Sequence, residues 1–130
     1  MGEKADTGGI KPGILAAADA VEFFTSEQCY IRELSNSDRD PQVSIAQVRV
    51  RPGITTRWHR LVGIAERYCI LSGNGEVQIG ERPAQAVAAG DLVIIPAGCR
   101  QRIRNPGADD LVFLAICTPR FRIECYQELT

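Results

Sequence analysis

The chain has 130 residues, 45% apolar and 24% charged, with a formal net charge of −1. That balance is ordinary for a globular protein, and the length fits one domain able to bury its own core. Near-neutral charge gives no electrostatic reason to expect nucleic acid or an acidic membrane surface as a partner, and no apolar run approaches the roughly 18 residues of a spanning helix.

No basic-plus-apolar leader is visible, so a cytoplasmic protein with reduced thiols is expected. The five cysteines (Cys29, Cys69, Cys99, Cys117 and Cys125) form no C-x-x-C pair and are odd in number. They support neither a disulfide scaffold nor a zinc knuckle. There is one histidine, His59. Any His-dependent chemistry must use it, and a site built from several histidines of one chain is excluded.

Residues 1–20 read as a loose arm with a short helical turn at Leu15–Ala20. Residues 21–130 read as one domain. Its predicted strands are Val21–Phe24, Cys29–Leu34, Val43–Val50, Thr55–His59, Arg67–Leu71, Glu76–Ile79, Gln85–Ala88, Leu92–Ile95, Arg100–Arg104, Leu111–Thr118 and Arg122–Tyr126. Turn signals separate them: Pro52-Gly53, Gly73-Asn74-Gly75, Gly90-Asp91, Pro96-Ala97-Gly98 and Asn105-Pro106-Gly107. No segment holds a helical period over twelve residues. Many short strands with Gly and Pro between them predict an all-β sandwich or barrel.

Strand alternation sorts the side chains. Glu66 shares a face with Tyr68 and Ile70. Gln101 shares one with Ile103 and Asn105, which leaves Arg100, Arg102 and Arg104 on the other. The arginine stripe reads as a solvated face paired with nearby acids. Cys117 shares a face with Phe113 and Ala115, and Cys69 alternates away from Glu66. Arg49 and Gln47 share a face that points either to a pocket, where Arg49 could grip a carboxylate, or to the surface. A hairpin is expected around Asn74, and His59 and Glu66 are expected on adjacent strands. Trp58 should face away from His59.

Two segments carry a resemblance. Residues 53–73 follow G-x5-H-x-H-x4-E-x6-G at Gly53, His59, Glu66 and Gly73, with Leu61 at the second His position. Residues 90–105 follow G-x5-P-x-G-x2-H-x3-N at Gly90, Pro96, Gly98 and Asn105, with Gln101 at the His position. These resemble the two signature motifs of the cupin superfamily. The resemblance implies a double-stranded β-helix, or jelly-roll, of two antiparallel sheets, with Glu66 and Gln101 pointing inward. It also implies a homodimer.

The resemblance further implies a mononuclear divalent metal (Fe, Mn, Ni or Zn) held by His59, Glu66 and Gln101, with no organic cofactor. The reaction would be dioxygenase, isomerase or lyase chemistry on a small polar or carboxylated compound. Fold alone does not choose among these. Two other readings stand beside it. One is a metal-free pocket that binds a small ligand, or uses His59 and Tyr68 as acid and base. The other is a structural network in which His59 satisfies Glu66 or Gln101. Tyr68 presents its hydroxyl to the pocket or serves as a core tyrosine with a polar tip. The tail after Thr118 would cover the barrel mouth or reach a partner subunit, with Phe121 as its anchor.

Overall fold

The computed structural model describes residues 6–130; residues 1–5 of the expected arm lie outside it. Eleven strands follow in chain order: β1 Phe23–Phe24, β2 Tyr30–Ser35, β3 Ser44–Val50, β4 His59–Leu61, β5 Ala65–Ser72, β6 Asn74–Ile79, β7 Gln85–Ala88, β8 Leu92–Ile95, β9 Gln101–Arg104, β10 Leu111–Thr118 and β11 Tyr126–Glu128. They form a six-stranded sheet in the order β1-β2-β3-β10-β5-β8 and a five-stranded sheet in the order β11-β4-β9-β6-β7. Every pairing is antiparallel. The architecture is the expected double-stranded β-helix.

Period-2 burial builds the barrel. On β10, Leu111, Phe113, Ala115 and Cys117 are buried while the residues between them are not. On β5, Glu66, Tyr68 and Ile70 point inward. The core joins both sheets through Val48, Val50, Ile70, Ile95, Phe113 and, from the five-stranded side, Val77 and Ile103. Asn105, fully buried, latches one corner. Its amide nitrogen donates to the carbonyls of Val50 and Asp109, each at 2.8 Å, and its oxygen accepts the Gly107 N–H at 2.9 Å.

Four expectations are corrected. Thr55–Trp58 is not a strand, because its backbone bonds go to two different segments. The Thr56 N–H donates to Ile103 at 2.8 Å and the Arg57 N–H to Glu27 at 3.2 Å. In the tail, Ile123–Cys125 forms a 3-10 turn and the strand begins only at Tyr126, where pairing with β4 starts. His59 and Glu66 are not on neighbouring strands: β4 belongs to the five-stranded sheet and β5 to the six-stranded one, so the two residues approach from opposite walls. For the same reason Gly73 is a corner between sheets rather than a hairpin. Its φ is +83°, and a Cβ there would lie 2.5 Å from the Asp110 carbonyl oxygen, which only glycine tolerates.

Candidate active site

The barrel encloses a cavity of about 200 Å³. His59, Glu66 and Tyr68 line it, as do Glu27, Cys29, Cys117 and Tyr126. Gln101 does not line it. Its oxygen accepts the Tyr68 hydroxyl, and its amide acts on the Glu66 carboxyl.

His59 sits at the start of β4 and is buried. Its Nδ1 lies 2.9 Å from the Arg57 carbonyl oxygen. A carbonyl only accepts, so Nδ1 carries a proton, and in the neutral imidazole Nε2 keeps a free lone pair. The Glu27 carboxylate stands 3.7 Å from the same Nδ1, and the Tyr126 ring stacks on the imidazole with centroids 5.3 Å apart. Carbonyl, carboxylate and ring together hold the imidazole in one orientation.

Glu66 faces His59 from β5. One oxygen, Oε2, accepts the Cys117 thiol at 3.6 Å. The other, Oε1, is buried without a partner. Burial pushes this carboxyl up to about 7, against the pull of His59; the charge of Glu27 adds to the rise and the Gln101 amide and Cys117 thiol reduce it. Burial likewise raises Glu27, which His59 partly offsets. Tyr68 is raised well above the usual phenol range by burial and by Glu66, so it stays protonated. Burial pushes the Cys29 thiol up to about 12 and raises Cys117 too, which makes both inert as nucleophiles.

Several placements follow the sequence reading. Cys117 lines the cavity and Cys69 does not. Trp58 faces outward, with the Arg100 and Arg102 guanidinium groups each 4.4 Å from its ring. Arg49 lies on the surface, paired with Glu22 at 2.6 Å and Asp110 at 3.1 Å. Arg100 and Arg104 pair with Glu81 and Glu76. Phe121 packs against Leu61, Ile64 and Cys117 and lines the cavity, so the tail folds onto its own barrel.

Two cavity residues had no signal in the sequence. Glu27 sits in the turn between β1 and β2, where Gln28 has a φ of +73°. It reaches His59 because its carbonyl accepts the Arg57 N–H. Tyr126 arrives from the tail through the register Tyr126↔Leu61. Both lie outside any motif.

The donor set does not fit a resident divalent metal. Leu61 offers no donor, the Gln101 oxygen is taken by Tyr68, and His59 Nδ1 is taken by Arg57. At the motif positions only His59 Nε2 and Glu66 Oε1 remain, where a catalytic centre ordinarily has three protein ligands. Among the described residues no group of three or more His, Cys, Asp or Glu side chains is placed to hold a metal ion.

The fold and cavity define a small β-barrel protein with an internal polar site. The sequence model of the family described as "Cupin domain" matches residues 46–117. The chain therefore belongs to the cupin family. Comparison with curated proteins finds no match. Among solved structures, Streptomyces Pac13, described as a nucleoside dehydratase, superposes with a TM-score of 0.76 at 16% identity over 92% of each chain. A Thermotoga maritima protein described as a predicted oxalate decarboxylase gives 0.73 at 22% identity, over 82% of this chain and 99% of that one. KdgF from Halomonas sp. gives 0.72 at 13%, over 84% and 96%. At these identities the likeness is one of fold.

Proposed function

We propose that the barrel is a small-molecule site that moves protons without a resident metal. One observation carries the reading: His59 Nε2 and Glu66 Oε1 are both unpaired at the wall of one cavity, with too few companions to cage a cation. A base with a free lone pair and a carboxyl that holds its proton near neutral pH form an acid–base pair. Nε2 would take a proton from a C–H or O–H of the ligand. Glu66 would return one to a leaving hydroxyl, released as water, or to a neighbouring carbon. The overall reaction is an elimination or an isomerisation. Tyr68 donates to Gln101, so its oxygen lone pairs remain to accept a ligand hydroxyl.

The description of Pac13 as a nucleoside dehydratase makes nucleosides the first compounds to assay. The test is NMR of untagged, chelator-treated protein in D2O with nucleosides and aldoses. It follows loss of water or deuterium uptake at carbon. Turnover that survives chelation and disappears in His59→Phe is expected.

A second reading, a weak divalent site for Fe, Mn, Ni or Zn at His59 and Glu66, is favoured by the same two free donor atoms at motif positions. Near-stoichiometric metal by plasma mass spectrometry, lost in His59→Ala together with the activity, would replace the first reading with the second. Stabilisation by ligand with no turnover would make the protein a binding module.

A further inference from the structure

We infer that the cavity selects a ligand rich in hydroxyl or amine donors and rejects carboxylates and phosphates. This rests on the small-molecule reading above and names the class of compound that the site takes.

The first argument is charge. Glu27, Glu33 and Glu66 line the cavity, and among the described residues no Lys or Arg does. Neighbouring guanidinium groups are engaged elsewhere. Arg32 donates to the carbonyls of Ala17 and Ala20, Arg57 pairs with Glu128, and Arg67 donates to the Thr118 hydroxyl. Arg49 is held by two carboxylates on the surface. A carboxylate or phosphate entering the barrel would find no bidentate partner and would add negative charge beside three carboxyls, whereas anion sites are ordinarily built around arginine.

The second argument is unfilled hydrogen bonding. Glu66 is more than nine-tenths buried, and its Oε1 has no partner. The Tyr126 hydroxyl is also buried without one. Buried polar atoms are almost always satisfied, so two orphans on residues lining one cavity mark where a ligand supplies the missing groups. Glu66 and Glu27 call for donors from the ligand. Tyr126 calls for an acceptor. A hydroxyl meets both demands, and an amine meets the first.

The third argument is shape. Phe23, Phe121 and Ile123 rim the cavity, and Phe23 and Ile123 are 48% and 70% exposed. The ligand therefore carries an apolar or flat part toward the rim and its donors toward Glu66. A volume of about 200 Å³ lies below the roughly 300–1,000 Å³ of pockets for drug-sized ligands, which suits a compound on the scale of a monosaccharide or nucleoside.

The experiment is a matched-pair binding series on chelator-treated wild type, read by thermal shift and calorimetry. The pairs are uridine with uridine monophosphate and glucose with glucuronate, with glucosamine as the amine arm. Uridine, glucose or glucosamine should stabilise the protein in a concentration-dependent way. The anionic partner of each binder should bind at least about tenfold more weakly, the direction set by like-charge repulsion. Binding by the amine alone, or by the neutral compounds alone, decides between the two donor chemistries. Tyr126→Phe keeps the stack on His59 and removes only an unpartnered hydroxyl. It should leave the free protein as stable as wild type or more so, and weaken the ligand several-fold. A merely structural Tyr126 would show no loss of affinity.

Anions that bind as well as their neutral partners, with affinity lost in Tyr126→Phe, would overturn the charge selection and leave the cavity reading intact. No thermal shift from any of the five compounds would overturn both.

Discussion

Replacing Glu66 with glutamine should stabilise the protein at neutral pH, by an amount that grows with pH. Burial raises the Glu66 carboxyl from 4.5 to about 7. The folded chain therefore binds more protons than the unfolded chain between those values, and stability falls as pH rises through that window. Below pH 4.5 the carboxyl is neutral in both states and costs nothing. Above pH 7 the full penalty applies. A shift of this size corresponds to about 3 kcal/mol. For 130 residues, that is a change in Tm on the order of 10 °C. Glutamine has nearly the same shape and can still accept the Cys117 thiol, so the variant isolates the charge. Glu27, also raised, contributes a similar slope to both proteins. The assay is thermal unfolding of chelator-treated wild type and Glu66→Gln from pH 4.5 to 8.5. The two curves should coincide near the acid end and separate steadily to pH 7. Curves that stay parallel over the whole range would refute a buried carboxyl that titrates near neutrality.

Three further outcomes are expected. Tyr68→Phe leaves the buried Gln101 oxygen without its donor, costing about 1–3 kcal/mol in urea unfolding, and Tyr68→Phe combined with Gln101→Leu should recover most of it; equal losses in both would show that the bond is not the cause. Asn105→Ala removes three hydrogen bonds and strands the buried Val50 carbonyl, so about 3 kcal/mol should be lost by the same assay, and a loss under 1 kcal/mol would contradict the latch. The homodimer implied by the cupin resemblance has a surface to use, since Leu71, Leu92 and Ile94 are exposed on the outer face of β5 and β8; sedimentation should show a dimer that Ile94→Glu dissociates, and a monomeric wild type would remove the expectation.

Much of the barrel was legible because it depends on local pattern. Alternation grouped Glu66 with Tyr68 and Gln101 with Asn105, the cupin resemblance turned those faces inward and the arginines outward, and turn residues marked most strand ends. That logic fails where backbone bonds are non-local. Thr55–Trp58 looks extended, yet it bonds alternately to Ile103 and Glu27 and forms no ladder. Spacing placed His59 and Glu66 close together. It could not show that the chain changes sheets between them, because that depends on which strands pair.

The sequence by itself determined an all-β sandwich or barrel and the single histidine, and its resemblance to the cupin motifs implied the two-sheet jelly-roll and the gaps in the metal-ligand pattern at Leu61 and Gln101. These are properties of composition, of periods two residues long and of motif spacing. Only the tertiary structure decided what the site is made of. It brought Glu27 from a turn to the Nδ1 edge of the imidazole and Tyr126 from the tail onto its face, turned the Gln101 oxygen to Tyr68, and left Glu66 Oε1 bare. Those contacts join segments 32 to 67 residues apart. Their partners are chosen by sheet closure and burial, for which no short stretch of sequence carries a mark.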